Sequence, residues 1–291
     1  MASRQQIKQR ITSVKSTKQL TKALQMVAAS KLRRAQEAAV GPRAYAELAR
    51  NILVRLRHIA GSESEFKLFN ERPVKSRLLI VITSDMGKAG AYNSNIIRRM
   101  VNELQADRAA GISTSIIAIG RQVATAAGRI SNLDVRAVYQ SLPDKPDADT
   151  LRPILTTAVG LFADEDVDAV DIINTKFIST IRQEVQIKRL LPAGLDLEPT
   201  SESNEDYDFT VEPSVEVLLQ STTLRLLDAQ IYQALLEAAA SEHSMRMLAM
   251  KNATDNAGDI VDDLTLEYNN ARQAAITQEL AEISGGAEAM K

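Results

Sequence analysis

The stretch Leu78-Leu79-Ile80-Val81-Ile82-Thr83 decides the fold class, because a run with no polar residue at alternate positions makes a strand covered on both faces. Similar runs lie at Ser115 to Ile119, Leu133 to Tyr139, Val170 to Ile178 and Val185 to Leu191. Helical patterns separate the first four: Asn93 to Asp107, Arg121 to Ile130 and Thr150 to Ala163. Strand–helix alternation predicts an α/β domain with a mostly parallel five-stranded sheet and helices packed on its faces. The last two runs approach each other around Thr180 to Glu184, too closely for a crossover helix, so they are expected to form an antiparallel hairpin.

The ends of the chain follow a different rule. All eight prolines lie between Pro42 and Pro213, and Ser214 to Ser284 holds a single glycine, Gly258. A continuous helix over that stretch would extend roughly 105 Å, against about 11–12 residues for an ordinary globular helix. Such a helix must pair with another or enter a partner. Its apolar stripe reads Ile260, Leu264, Tyr268, Ala271, Ala275, of coiled-coil width. The N-terminal segment shows Ile7, Ile11, Val14, then Leu20, Leu24, Val27, then Ala28, Leu32, Ala35, Ala39, which reads as a phase shift between Val14 and Leu20. The expected domains are a long N-terminal helix over 1–60, an α/β domain over 74–200, a surface connection over 201–213 and a long C-terminal helix over 214–291, the two helices forming an antiparallel coiled coil.

Charge is divided between these ends. Residues 1–40 carry nine basic side chains and one acidic one, net +8, whereas residues 242–291 carry nine acidic against four basic, net −5; the whole chain is −2. That opposition is expected to favour association and register. The seam is rich in Ala and Thr, which predicts modest adhesion and close backbone approach. The chain has no Cys, so disulfides, thiolate metal sites and cysteine nucleophiles are excluded. Two His, His58 and His243, leave little material for a zinc site or a Ser-His-Asp triad. Charge-free runs such as Pro153 to Ala163 are far shorter than the ~18 apolar residues of a membrane span, so a soluble chain is expected.

Candidates for chemistry are few. Ser84 to Asn95 follows the first strand and opens a helix, the right place for a phosphate-binding turn. Its glycines, Gly87 and Gly90, fit neither G-x-G-x-x-G nor G-x-x-x-x-G-K-[ST], so a tight structural turn with Asn93 or Ser94 as N-cap is preferred. Asp255, Asp259, Asp262 and Asp263 share one helix face, read as an exposed acidic face. His243 reads as a helix-surface residue, and Ser62 and Ser64 as linker. No cofactor-binding, metal-binding or catalytic residue is assigned.

The basic N-terminal helix has three readings: a nucleic-acid binder, a targeting presequence, or a surface facing acidic protein. Residues 1–40 contain no aromatic, and the segment carries the stripe needed to pair with the tail, so the protein-facing reading is favoured.

The segment Arg10-Ile11-Thr12-Ser13-Val14-Lys15-Ser16-Thr17-Lys18-Gln19-Leu20-Thr21-Lys22-Ala23-Leu24-Gln25-Met26-Val27-Ala28-Ala29-Ser30-Lys31-Leu32-Arg33-Arg34-Ala35-Gln36 closely resembles the start of the gamma subunits of F-type ATP synthases. The tail resembles the same family independently, from Ala240 through Ser241-Glu242-His243-Ser244-Met245-Arg246 to Ala257 and again from Leu266 to Leu280. Leu24 stands where members commonly have Met, and Met86, Lys88, Ala89 and Ala91 replace four positions of a Ser-Asp-Arg-Gly-Leu-Cys-Gly-Gly motif.

The resemblance implies a bacterial-type rotor. It would be a non-enzymatic, single-copy central stalk whose coiled coil lies in an alpha/beta hexamer and whose Rossmann-like domain meets the epsilon subunit and the c-ring. The assembly would sit peripherally on the cytoplasmic face of the plasma membrane, without membrane insertion or nucleic acid. By position, Arg272, Gln273, Thr277 and Glu279 match tail residues that engage beta-subunit loops or their neighbouring helix, and Arg246 matches a residue tied to coupling. Lys15, Lys18, Lys22, Arg33 and Arg34 are implied to face acidic parts of the beta subunits. The runner-up is a basic helical nucleic-acid-binding protein with a Rossmann-like domain, with a nucleotide-dependent enzyme third.

Overall fold

The computed structural model describes residues 4–60, 66–194 and 215–289, and it separates into two compact units. One comprises Ser30–Met245; the other joins residues up to Ala29 with those from Arg246 onward. Helices α1 (Arg4–Val40) and α2 (Arg43–Ala60) precede a 3-10 turn at Lys67–Phe69. There follow β1 (Ser76–Ile82), α3 (Tyr92–Ala109), β2 (Ser113–Ile119), α4 (Arg121–Ala127), β3 (Asp134–Tyr139), α5 (Ala148–Ala163), β4 (Ala169–Phe177), β5 (Gln183–Leu191) and α6 (Val215–Ala289).

In the larger unit the strands stand in the order β3-β2-β1-β4-β5, all parallel except β5, which runs antiparallel to β4. The five runs and the edge hairpin are those expected from hydropathy. The opening run is apolar from Leu78 to Ile82 because both faces of β1 are covered. Leu78, Ile80 and Ile82 enter a core with Leu151, Ile154 and Phe162 of α5, while Leu79 and Val81 enter another with Tyr92, Ile96 and Met100 of α3. Fully burying each such side chain stabilises by about 1.5–3 kcal/mol. Below the sheet core, Arg77 gathers Asp171 (2.5 Å), Asp107 (2.9 Å) and Glu103 (3.1 Å). Burial alone would lower its pKa, but the charges of Asp171 and Asp107 outweigh this and raise it.

The terminal helices depart from expectation in two ways. The helix anticipated over 1–60 divides at Gly41 and Pro42, since proline has no N–H to continue the ladder. Nor does all of the C-terminal helix serve a coiled coil: Leu226, Leu227, Ile231 and Leu235 are buried in the first core, as is Leu53 of α2. Both facts assign more of the two ends to the α/β unit than the sequence periodicity implied. The connection expected over 201–213 lies outside the described residues.

In the smaller unit, α6 turns Met250, Thr254, Ala257, Val261, Leu264, Tyr268, Ala271 and Ala275 away from solvent, a spacing of alternating four and three residues. Over the same unit α1 turns in Ile7, Ile11, Val14, Thr21, Gln25 and Ala28, which fit one heptad frame with Lys18 at the remaining position, while Leu24, also half-buried, flanks it. Thus no phase shift occurs. Leu20 is 56 % exposed, Val27 56 % and Ile260 48 %, because admitting any of them would break the repeat that keeps the seam facing its partner. The helices are antiparallel partners: Thr254 Oγ1 donates to Thr21 Oγ1 (2.9 Å), and four residues further along α6 Gly258 lies against Lys18, three residues back along α1.

Candidate functional site: the outer faces of the terminal helices

In the strand–helix turn after β1 the side chains of Ser84, Asp85 and Asn93 are hydrogen-bonded within the chain. Ser84 N–H donates to Asn93 Oδ1 (3.0 Å), Asn93 Nδ2 donates back to Ser84 Oγ (2.8 Å), and Ser84 Oγ donates to Met86 O (2.6 Å). Asp85 accepts from Arg121 N–H (2.9 Å) and Ser141 N–H (2.8 Å), so its carboxylate staples three strand ends together. Gly120, at φ +94°, must be glycine: a Cβ there would lie 2.3 Å from Thr83 O. The residue preceding α3 is Ala91, which makes no side-chain cap; the expectation of Asn93 or Ser94 as N-cap is corrected, since Asn93 is drawn back to Ser84 and Ser94 Oγ donates to Ala91 O (3.0 Å).

His243 is also corrected. It is 2 % exposed, not on the surface, and its Nε2 lies 3.0 Å from Asp144 Oδ1, while Lys31 Nζ lies 3.2 Å from Asp144 Oδ2. The hydrogen bond from His243 foremost, with its charge and that of Lys31 opposing partial burial, holds the Asp144 carboxyl down at about 2. Sequence gave no cue to this group, because the three residues are scattered and only folding brings them together. Asp255, Asp259, Asp262 and Asp263 are exposed on α6. Among the described residues no set of three or more His, Asp or Glu side chains converges as metal ligands would, and no helix is long and apolar enough to cross a membrane. Ser62 and Ser64 lie outside the described residues.

Most of the side chains singled out from the sequence lie on the outer faces of the helices; Lys18, though exposed, occupies a seam position, and Arg246 has its Nε buried. In the smaller unit, Lys15, Lys18, Lys22, Arg272, Gln273, Thr277 and Glu279 are exposed and Arg246 is half-buried. At about 100° per residue, Gln273 and Thr277 share one face of α6, and Thr277 Oγ1 donates to Gln273 O (3.0 Å). Arg272 and Glu279 share a different face, so these four do not form one patch. In the larger unit Arg33 and Arg34 are exposed, and Arg33 Nε lies 3.6 Å from Glu37.

The expected charge match across the coiled coil is absent. Among the described residues no ion pair joins 4–29 to 246–289. Lys8, Lys15 and Lys22 recur one heptad apart beside the seam, and the flanking positions of α6 that face them, Lys251, Gly258 and Thr265, carry no carboxylate. The acidic residues of α6 sit mainly on its far side. This lysine row thus faces no carboxylate on α6.

A heptad-paired coiled coil made from both chain ends and an α/β unit made from the middle define a protein of coiled-coil plus α/β architecture. The chain belongs to the ATP synthase gamma-chain family: the family model described as ATP synthase matches residues 3–290. It is 40 % identical over 295 residues to the ATP synthase gamma chain of Cupriavidus pinatubonensis, covering all of both chains. Against the gamma chain of Ralstonia nicotianae the identity is 39 % over 293 residues, again over all of both. Among solved structures, a chain of the Euglena gracilis mitochondrial ATP synthase aligns at TM-score 0.65 and 18 % identity, covering 98 % of this chain and 93 % of that one. A chain from the central stalk and c-ring of the Tetrahymena thermophila enzyme aligns at 0.61 and 24 %, covering 80 % and 99 %. At those identities the likeness speaks to fold.

Proposed function

We propose that the chain is the central rotor shaft of an F-type ATP synthase, coupling ion-driven rotation of a c-ring to conformational changes in an alpha/beta hexamer. Full-length identity to bacterial gamma chains is the observation that carries this reading. Physically, a shaft biases bistable partners in turn through differential contact with their states. Such contact needs outward donors and charges, and Arg272, Gln273, Thr277, Glu279, Arg246 and the lysine row supply them. Guanidinium and amide donors on α6 suit carboxylates and carbonyls of a surrounding collar. Lys15, Lys18, Lys22, Arg33 and Arg34 suit acidic levers. The α/β unit is read as the part that meets an epsilon subunit and the c-ring, with one copy per complex, at the cytoplasmic face of the bacterial plasma membrane. The chain itself is read as non-catalytic. The nucleic-acid alternative gains nothing from relatives named as gamma chains.

The test is reconstitution with the alpha and beta subunits of its own complex. Since the chain has no cysteine, a bead can be tied to one introduced at exposed Asp166. Expected is a stable complex in which ATP drives unidirectional bead rotation. Failure to assemble, or assembly without rotation, overturns the reading.

A further inference from the structure

Thr21 and Thr254 stand 233 positions apart and are 9 % and 6 % exposed, yet their hydroxyls meet at 2.9 Å inside the coiled-coil seam. Each is also tied to its own helix. Thr21 Oγ1 donates to Lys18 O (3.0 Å), which leaves its lone pairs for Thr254 Oγ1, whose hydrogen is shared with Met250 O (2.8 Å). One turn further along lies a close steric approach. Lys18 occupies a seam position, and its ammonium rests against Gly258, where a Cβ would lie only 2.9 Å from Nζ. Glycine is what makes room for a lysine in that layer.

The layers beyond are apolar. Stepping along the heptads from the Thr21–Thr254 contact sets Val14 opposite Val261 and Ile11 opposite Leu264. Aliphatic layers of similar size tolerate axial displacement by a turn, whereas polar layers do not. A one-turn slide would place the Thr21 hydroxyl against Ala257 or Met250, so that each hydroxyl would keep only its own-helix carbonyl, Lys18 O or Met250 O, and the hydrogen bond across the seam would be lost. We infer that the Thr21–Thr254 hydroxyl pair is a register lock that positions the two helices axially so that they turn as one body. The inference deepens the rotor-shaft reading and rests on it for its functional consequence; the geometric part stands on this chain alone.

The test uses the natural absence of cysteine, with Val14→Cys paired either with Val261→Cys, in register, or with Ala257→Cys, one turn out of register. In the parent chain only the first pair is expected to form a disulfide, since thiols whose Cα atoms are more than about 7 Å apart do not bridge. In the Thr21→Val/Thr254→Val background the out-of-register disulfide is expected to rise at least about fivefold in yield. Valine matches threonine in shape, so the melting temperature should hold or increase. In the assembled complex the same double variant should pump at least about twofold fewer ions per ATP hydrolysed, and Thr21→Ser/Thr254→Ser should restore both readouts. An out-of-register yield and a pumping ratio unchanged by the valines overturn the lock, as does a lost melting temperature with register intact. The disulfide measurement on the free chain decides the lock by itself, while a parent chain that assembles without pumping counts against the rotor reading alone.

Discussion

Asp144 and His243, 99 positions apart in sequence, meet at 3.0 Å between the loop after β3 and the buried face of α6, with Lys31 on the other carboxylate oxygen. A carboxyl held at about 2 when folded and near 3.8 when unfolded contributes stability that is fully present above the unfolded value and is lost as pH falls through the folded one. Because Asp144 is 46 % exposed, solvent reduces that contribution to about 1 kcal/mol. Asp144→Asn is therefore expected to flatten the stability profile between about pH 4 and pH 2 while costing little more than this at neutrality. Urea titrations across that range provide the check; an unchanged acid slope removes the group from the account.

Arg77→Met makes the opposite kind of prediction. It leaves Asp107, 5 % exposed, without its cation, while Asp171, 2 % exposed, keeps only Arg189. Breaking a buried charge cluster by removing one member costs about 3–5 kcal/mol, so the melting temperature should fall by several degrees or the α/β unit should fail to fold. A loss below about 1 kcal/mol would show that the network is solvated in solution.

Two glycine substitutions separate backbone necessity from side-chain tolerance. At Gly120 the positive φ and the Thr83 carbonyl leave no place for a methyl, and Gly120→Ala is expected to cost more than about 2 kcal/mol. At helical Gly258 the added methyl meets only the tip of Lys18, a flexible neighbour, so Gly258→Ala should gain up to about 1 kcal/mol of helix stability as the ammonium swings outward. Paired thermal melts settle the sign of each.

The outward donors of α6 give a functional prediction. Arg272→Ala and Gln273→Leu each remove a donor expected to be worth about 1–2 kcal/mol to a partner contact, that is, about five- to thirtyfold in assembly or coupled turnover. Since the two side chains lie on different faces of the helix, their effects should multiply in the double variant. Circular dichroism of the isolated chain should not change. Full activity in both single variants would dismiss the contact.

The sheet was legible because burial on both faces leaves a plain mark, as in Leu78 to Ile82, and the edge hairpin because β4 and β5 leave no room for a crossover. The seam was harder. Leu20, Val27 and Ile260 are more hydrophobic than Thr21, Ala28 and Thr254, so a reading by hydropathy selects the wrong face, whereas packing obeys the unbroken heptad. The double role of α6 left no periodic signal either, since different stretches of its surface are buried by different neighbours. Charge misled in an instructive way: the net signs of the two ends are opposite, but the carboxylates of α6 lie away from the lysine row of α1. The candidate side chains of the tail came from family resemblance, and nothing in their periodicity distinguishes them from other exposed helix residues.

That unmatched row has a kinetic meaning. Lys8, Lys15 and Lys22 project a field that their own coiled coil does not cancel, and it reaches roughly 8 Å into physiological saline before ions quench it. An acidic collar would capture the helix before any snug contact formed, quickly in dilute buffer and more slowly as salt is added. Ionic strength should thus govern how fast the complex is built far more than how firmly the isolated chain is folded.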